Sequence, residues 1–331
     1  MRIVIATPFY PPQAGVLGTY AAGLESAFRK QGHDVTVVVF TSMLPPGMRH
    51  VMYFVRMILA LRSASFVLAL DTWSVGLPAS LAARLRSVPF AVRIGGDFLW
   101  ESYVERVREP ILLSEFYTAP RTFSLKERII HRGMRMLVRR ADALLFTTKF
   151  QCELWKRAYT FREECAHIVE NYFPPREERR ELPSNHVFVH AGRDIFLKNT
   201  SLVHRVFERV QAKYPDVTVD ERPLPHTEHR ERVRRSYAVL VASVSEVCSN
   251  TAIDAVALGV PFICTKDTGT SERLGECGLF VDTRSEAEVE QAVEALLEPD
   301  AYERLAFRAR SFSFVHSWDD IATEVVAIMS T

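Results

Sequence analysis

Ser245-Glu246-Val247-Cys248-Ser249-Asn250-Thr251-Ala252-Ile253-Asp254-Ala255-Val256-Ala257-Leu258-Gly259-Val260-Pro261-Phe262-Ile263-Cys264-Thr265 is the most informative stretch of this 331-residue chain. It reads as loop, helix, turn and strand. Ser-Asn-Thr at 249–251 opens the helix, with Ser249 or Asn250 suited to cap it. Gly259-Val-Pro261 ends it, and the run 262–265 is a buried strand. Two carboxylates, Glu246 and Asp254, stand with seven residues between them across the helix start.

About fifty residues upstream, His190-Ala-Gly192-Arg193-Asp-Ile-Phe-Leu-Lys198-Asn199 puts two cations after another apolar strand. A helix N-terminus offers free N–H groups and the positive end of a dipole, an anion site made by backbone alone. Arg193 would add a planar fork and Lys198 a point charge. The two carboxylates repel phosphate, so their natural partners are hydroxyls at the two ends of a ligand. Cations, helix start and carboxylates together suit a nucleotide diphosphate that carries a sugar. The plainer reading, a capped surface helix with solvated acids, leaves the order of the two motifs unexplained.

Outward from this stretch, apolar strands alternate with amphipathic helices, the pattern of a parallel sheet covered on both faces. Strands are expected at 2–6, 35–40, 66–70, 90–94, 143–147, 187–190, 239–242, 262–265 and 279–281. Helices are expected at 19–31, 200–213, 250–258, 285–297 and 299–310. The proline-punctuated, charged segment from Phe173-Pro-Pro175 to Leu182-Pro183 is the natural join. The architecture predicted is α/β: two tandem doubly wound, Rossmann-like domains with the ligand in a cleft at the strand carboxyl ends.

Composition places the chain among ordinary globular proteins, with 48% hydrophobic and 24% charged residues. Five cysteines without a Cys-x-x-Cys pair point to a reduced cytosolic compartment. No signal peptide is visible, and the apolar run 51–61 is too short to span a bilayer. Residues 1–171 carry 22 lysines and arginines against 14 acids, and residues 172–331 carry 19 against 26. The basic half therefore faces an anionic partner or surface. Arg128, Arg132, Arg135 and Arg139 share one helical face beside Ile130, Met134 and Leu137, which is either a solvated face over a sheet or a helix attracted to anionic lipid.

Two loops in the first half are weaker signals. Pro11-Pro12-Gln-Ala-Gly15-Val-Leu-Gly18 follows the first strand, and Gly15 and Gly18 would let backbone approach a ligand. Its spacing is not Gly-x-Gly-x-x-Gly, which argues against a nicotinamide enzyme. Asp97, in Arg93-Ile-Gly95-Gly96-Asp97, sits after a strand, where it would accept a proton or hydroxyl, or cap the next helix. No Asp-x-Asp occurs, so a metal held by paired aspartates is not expected.

The motifs together resemble glycosyltransferase family 4, retaining enzymes of the GT-B fold. The resemblance rests on Pro-Pro-x-x-Gly-x-x-Gly after the first strand, Gly-His-x-Val near 32–35, Asn171 before the linker, and Gly192-Arg193 with Lys198. Glu246…Asp254 is similar to the family's Glu, seven residues, Glu motif, and Gly269-Thr-Ser-Glu272 to its Gly-Gly-x-x-Glu loop. The resemblance implies an acceptor-side domain at 1–175, a nucleotide-sugar domain at 176–312 and a helix at 313–331 that crosses back. It implies that Arg193 and Lys198 neutralise the donor diphosphate, Asp254 holds the ribose and Glu246 the transferred sugar. Gly15, Gly18, Gly192, Ser249, Asn250, Thr251 and Glu272 would line the substrates, with Asp97 among the catalytic groups. The implied activity is metal-independent transfer of a hexose-type sugar to a hydroxyl, with retention, in glycan biosynthesis, and with no cofactor beyond the nucleotide sugar.

Three departures qualify that picture. Asp254 stands where the family has Glu. Gly95 stands near the family's usual active-site His. The segment between Lys198 and Glu246 is short, lacking a strand–helix unit with its glycine turn. These departures motivate an alternative, a non-catalytic GT-B scaffold that binds a sugar nucleotide or a partner subunit. A glycoside hydrolase built on Glu246 and Asp254 would leave Arg193, Lys198 and the helix start without purpose. The basic half would suit a lipid-linked or anionic acceptor and peripheral contact with the inner membrane face. Nothing points to nucleic acid.

Overall fold

The structure, a computed structural model, describes residues 1–11, 16–40, 45, 48–177, 185–190 and 195–330. In chain order the first elements are β1 (Arg2–Thr7), α1 (Val16–Lys30), β2 (Asp34–Val39), α2 (Met48–Ala60), β3 (Phe66–Ala69), α3 (Gly76–Arg86) and β4 (Phe90–Ile94). Next come α4 (Phe98–Val107), α5 (Leu113–Phe116), α6 (Leu125–Arg140), β5 (Ala143–Phe146), α7 (Lys149–Ala158) and β6 (Ala166–Ile168). Then follow β7 (His186–His190), α8 (Thr200–Lys213), β8 (Val217–Asp220), α9 (His226–Arg235), β9 (Ala238–Val241), α10 (Asn250–Ala257) and β10 (Phe262–Thr265). The last are α11 (Ser271–Leu274), β11 (Gly278–Val281), α12 (Glu286–Leu297), α13 (Pro299–Ser311) and α14 (Trp318–Ser330).

These elements form two compact units. One comprises Met1–Leu99, Arg121–Tyr172 and His316–Thr331, the other Trp100–Pro120 and Phe173–Val315. In the first unit six parallel strands run in the order β2-β1-β3-β4-β5-β6. Their residues are apolar because helices cover both faces: β3 and β5 are buried at every position. On one face Ile3, Ile5, Leu24 and Phe28 meet Ile321, Ala322 and Val325, so α1 and α14 share a core with β1. The Trp318 ring stacks on Tyr172 at 4.5 Å and meets Tyr20 edge-on at 4.9 Å. Gly23 is required there, since a Cβ would lie 2.5 Å from the indole.

The second unit has five parallel strands in the order β11-β10-β9-β7-β8. Strand order reverses between β7 and β9, whose carboxyl ends form the crevice where ligands bind in open α/β sheets. The helix-to-strand turn of the opening sequence takes its shape from Gly259, which has φ +68°.

Both sheets are α/β and doubly wound, as the alternation predicts. The expected list omits α2, α3, α5, α7 and α11 as well as two strands and a further helix. β6, β8 and α9 were not anticipated; β6 and β8 are half-exposed strands of three and four residues, too short for periodicity to register. Thus the segment between Lys198 and Glu246 holds β8 and α9 in addition to the expected α8 and β9, and the turn from β8 to α9 contains no glycine. Helix α1 starts at Val16, so Gly18 lies in its first turn instead of the preceding loop.

Candidate functional site

The loops after β7 and β9 meet at the switch point of the second unit. After β7 a 3-10 turn, Phe196–Lys198, carries the lysine. After β9 the chain runs through Ser243 to Glu246 and into α10. The Lys198 ammonium lies 2.6 Å from Glu246 Oε1 and donates to Ser243 Oγ at 3.1 Å. Ser243 Oγ in turn donates to the same Glu246 oxygen at 2.6 Å. Three polar groups are thereby fixed in a triangle built from two loops. Val244 N–H donates to Leu197 O at 2.9 Å, which sets the spacing of those loops.

The triangle is largely buried, with 17% of the Glu246 side chain and 25% of the Lys198 side chain exposed. Burial on its own pushes the Glu246 carboxyl up. The charge and hydrogen bond of Lys198, with the Ser243 hydroxyl, outweigh it and hold the group below its usual value. Glu246 is therefore an ionised acceptor. His190, at the end of β7, is 2% exposed and held neutral by burial, which lowers its pKa. Its Nδ1 lies 3.0 Å from Leu240 O and so carries the hydrogen, leaving Nε2 a buried acceptor without a hydrogen-bond partner among the described residues.

Helix α10 completes the site. Ser249 caps it, its hydroxyl accepting from Ala252 N–H at 3.2 Å. The loop bearing Glu272 lies alongside: Glu246 N–H donates to Asp267 O and Gly269 N–H to Val247 O, both at 3.1 Å. Ser249 N–H donates to Thr270 Oγ1 at 2.9 Å, tying the cap to that loop. Lys198, Glu246, Ser249 and the Glu272 loop are thus gathered around one helix start.

Residues 177–299 match the family model described as Glycosyl transferases group 1. The matched segment lies within the second unit and covers 123 of the 331 residues. No curated protein sequence matches the chain. Among solved structures, sucrose-phosphate synthase from Thermosynechococcus elongatus is similar, with a TM-score of 0.71 at 13% identity over 99% of this chain and 98% of that one. Anabaena Alr3699/HepE in complex with UDP and glucose gives 0.65 at 12% identity, covering 100% and 97%. S. aureus MnaA with UDP gives 0.61 at 14%, covering 98% and 94%. The fold is GT-B.

In the matched segment, Asp254 is 6% exposed and faces Arg230 of α9, whose Nε lies 3.2 Å from Oδ1. Arg230 also donates to Glu177 Oε1 at 2.9 Å. The acid expected at the ribose is therefore already in contact with a cation. Asn250 and Thr251 lie half-buried in the first turn of α10, while Glu272 is exposed in α11. Arg193, Gly192 and Gly15 lie outside the described residues. In the other unit Gly18 is buried in α1, and Asp97, 1% exposed, immediately precedes α4. At Gly95 a Cβ would lie 2.5 Å from Arg93 Nη1, so a guanidinium stands where a side chain at 95 would go. That guanidinium bonds Asn171 Oδ1 and covers the Tyr20 ring at 3.9 Å.

Sequence reasoning missed several supporting groups. Glu105 of α4 accepts from Phe196 N–H at 3.3 Å and Leu197 N–H at 3.0 Å, capping the turn that presents Lys198. Ser245 Oγ accepts from Leu113 N–H at 2.9 Å and bonds Asp267. Ser243 and His190 were in plain view beside named motifs, but only adjacency of β7 and β9 reveals their roles. Among the described residues no group of three His, Cys, Asp or Glu side chains is placed to hold a metal ion.

Proposed function

We propose that this protein moves a hexose-type sugar from a nucleotide-diphosphate donor to an acceptor hydroxyl, with retention of configuration and without a metal. The observation that carries the reading is the Lys198–Ser243–Glu246 triangle beside the capped start of α10, inside the segment that matches the group 1 model. Lys198 supplies a fixed positive charge for a diphosphate, and free N–H groups at the helix start add to it. Arg193 is assigned to the same anion on its sequence position alone. Glu246, ionised and held by Lys198, accepts hydroxyls of the transferred sugar. In the transfer step the sugar C1–O bond to the diphosphate breaks, the acceptor oxygen bonds C1 from the same face, and the acceptor proton passes to the departing diphosphate. Lys198 and the helix start stabilise charge that develops on that leaving group.

UDP accompanies two of the similar structures, which makes uridine the first base to try. The experiment is a thermal-shift panel of UDP, GDP, ADP and dTDP, with and without magnesium, on wild type and Lys198→Met. One diphosphate should stabilise the wild type alone, equally with and without magnesium; at about 100 times Kd the gain is roughly 2.7 kcal/mol. The matching sugar nucleotide and an acceptor panel then test turnover, with the anomeric configuration of the product read by NMR. An inverted product would refute retention. Nucleotide binding without turnover of any donor would favour the non-catalytic scaffold, for which Arg93 standing in the space at residue 95 is the motivating observation.

A further inference from the structure

Helix α2 turns its apolar side outward. Met48, Val51, Met52, Val55 and Leu59 are 60%, 65%, 49%, 49% and 52% exposed, while Tyr53 and Met57 point into the unit. At 100° per residue the five exposed side chains fall within about a 100° arc, so they form one stripe. Scattered apolar residues on a surface need no explanation, but a continuous stripe over three turns marks an interaction surface.

The stripe has neighbours of the same character. α3 packs against α2, and Arg86 Nε of α3 donates to Ile58 O at 3.0 Å. α6 packs against α3, with Gly133 facing Trp73 and Leu77. On α3, Leu81 and Leu85 are exposed beside Arg84; on α6, Leu125 and Ile129 are exposed beside Arg128 and Arg132. Arg62, Arg84, Arg132, Arg135 and Arg139 have no acidic partner among the described residues.

Acids are nearly absent from this layer, and those present face inward. Between residues 35 and 96 there are six arginines and a single acid, Asp71. Its carboxylate accepts from Val75 N–H at 2.9 Å, at the start of α3. The sole acid of α6, Glu127, is 2% exposed and closes a capping box with Ser124. What remains outward is apolar and cationic together.

We propose that the outer face of α2, α3 and α6 docks on the surface of an anionic lipid bilayer. The Met48–Leu59 stripe enters the headgroup boundary, and the arginines of α3 and α6 engage lipid phosphates. Among the described residues no helix is long and apolar enough to cross a membrane, so the contact is interfacial. A protein partner or a second copy would need acids to match the arginines, and this face offers a second copy none. The inference stands apart from the donor site and survives whether or not sugar is transferred.

The test is co-sedimentation of the full chain with vesicles of phosphatidylcholine and phosphatidylglycerol at 3:1, and of phosphatidylcholine alone. The variants are Val51→Glu/Val55→Glu, Arg84→Gln/Arg128→Gln/Arg132→Gln and, as a control in the other unit, Phe307→Glu, also exposed. Wild type and control should bind the anionic vesicles at least tenfold more tightly than neutral ones, and binding should weaken as salt rises from 0.05 to 0.3 M, values chosen to straddle a Debye length of about 10 Å. The double glutamate variant should lose tenfold or more with an unchanged melting temperature, and the triple glutamine variant should bind with a shallower salt dependence than the wild type. No binding to anionic vesicles would overturn the proposal. So would equal binding by wild type and the double glutamate variant, or self-association of the wild type that this variant abolishes while vesicles are ignored.

Discussion

Replacing Lys198 by Met keeps the length of the side chain and removes its charge, leaving Glu246 with the Ser243 hydroxyl at 2.6 Å as its remaining described partner. A hydrogen bond to a charged group contributes about 1.5–3 kcal/mol, and breaking a fully buried pair costs about 3–5 kcal/mol. Glu246 retains 17% exposure and its serine, so the loss at pH 7 should be about 2–3 kcal/mol. That corresponds to about 5–10 °C in melting temperature for a cooperative unit of this size. The informative part is the pH dependence. In the wild type the folded pKa of Glu246 is lowered, so its contribution is present above the unfolded value of about 4.3 and is lost as pH falls through the folded value. Without Lys198, burial dominates and the folded pKa rises above the unfolded one. The protonated form is then favoured on folding, and that contribution fades as pH rises through the new folded pKa. The penalty of Lys198→Met should therefore shrink from about 2–3 kcal/mol at pH 7 to under about 1 kcal/mol at pH 4. Urea unfolding at half-unit pH steps measures it, and Lys198→Met/Glu246→Gln should recover most of the loss at neutral pH. A penalty that is the same at pH 7 and pH 4 would refute the claim that an uncompensated buried carboxylate is the cause.

Three further outcomes are expected. Ser249→Ala should cost about 1 kcal/mol by removing the cap of α10, whereas Ser249→Asp should keep the stability yet weaken diphosphate binding through repulsion, read by calorimetry with the nucleotide that shifts the wild type. Glu105→Ala frees two N–H groups of the 196–198 turn and should weaken that binding several-fold, with Glu105→Gln recovering part of it. Asn171→Ala takes the acceptor from the buried Arg93 guanidinium and should cost about 1.5–3 kcal/mol in denaturant unfolding, and Asn171→Asp should not.

The strands were legible wherever both faces are covered, because β3, β5 and β9 are unbroken apolar runs and β4 and β10 are apolar except at Arg93 and Thr265. The start of α10 was legible to within one residue, and geometry selects Ser249 over Asn250 as the cap. β8 escaped notice because half of its side chains face water at a sheet edge, and α9 because its eight charged and histidine positions blur any apolar stripe. Lys198 and Glu246 could each be named from local motifs. That they bond each other depends on β7 and β9 being neighbours, a long-range fact that no spacing encodes. Glu105 lies 91 residues before the turn it caps, and Arg230 is joined to Asp254 only by the packing of α9 on α10. The apolar run 51–61 was read only as too short to span a bilayer; that it belongs to a helix, and that five apolar side chains between Met48 and Leu59 face out, only the structure shows.

The core shared by α1 and α14 has a consequence for how the chain is made. Tyr20, Leu24 and Phe28 leave the ribosome early, yet Ile321, Ala322 and Val325, which cover them, come about 300 residues later. At about 5–20 residues per second that face waits uncovered for roughly 15–60 seconds during synthesis. The first unit begins to fold first and finishes last, which makes a nascent chain stalled in the second unit a natural client for chaperones.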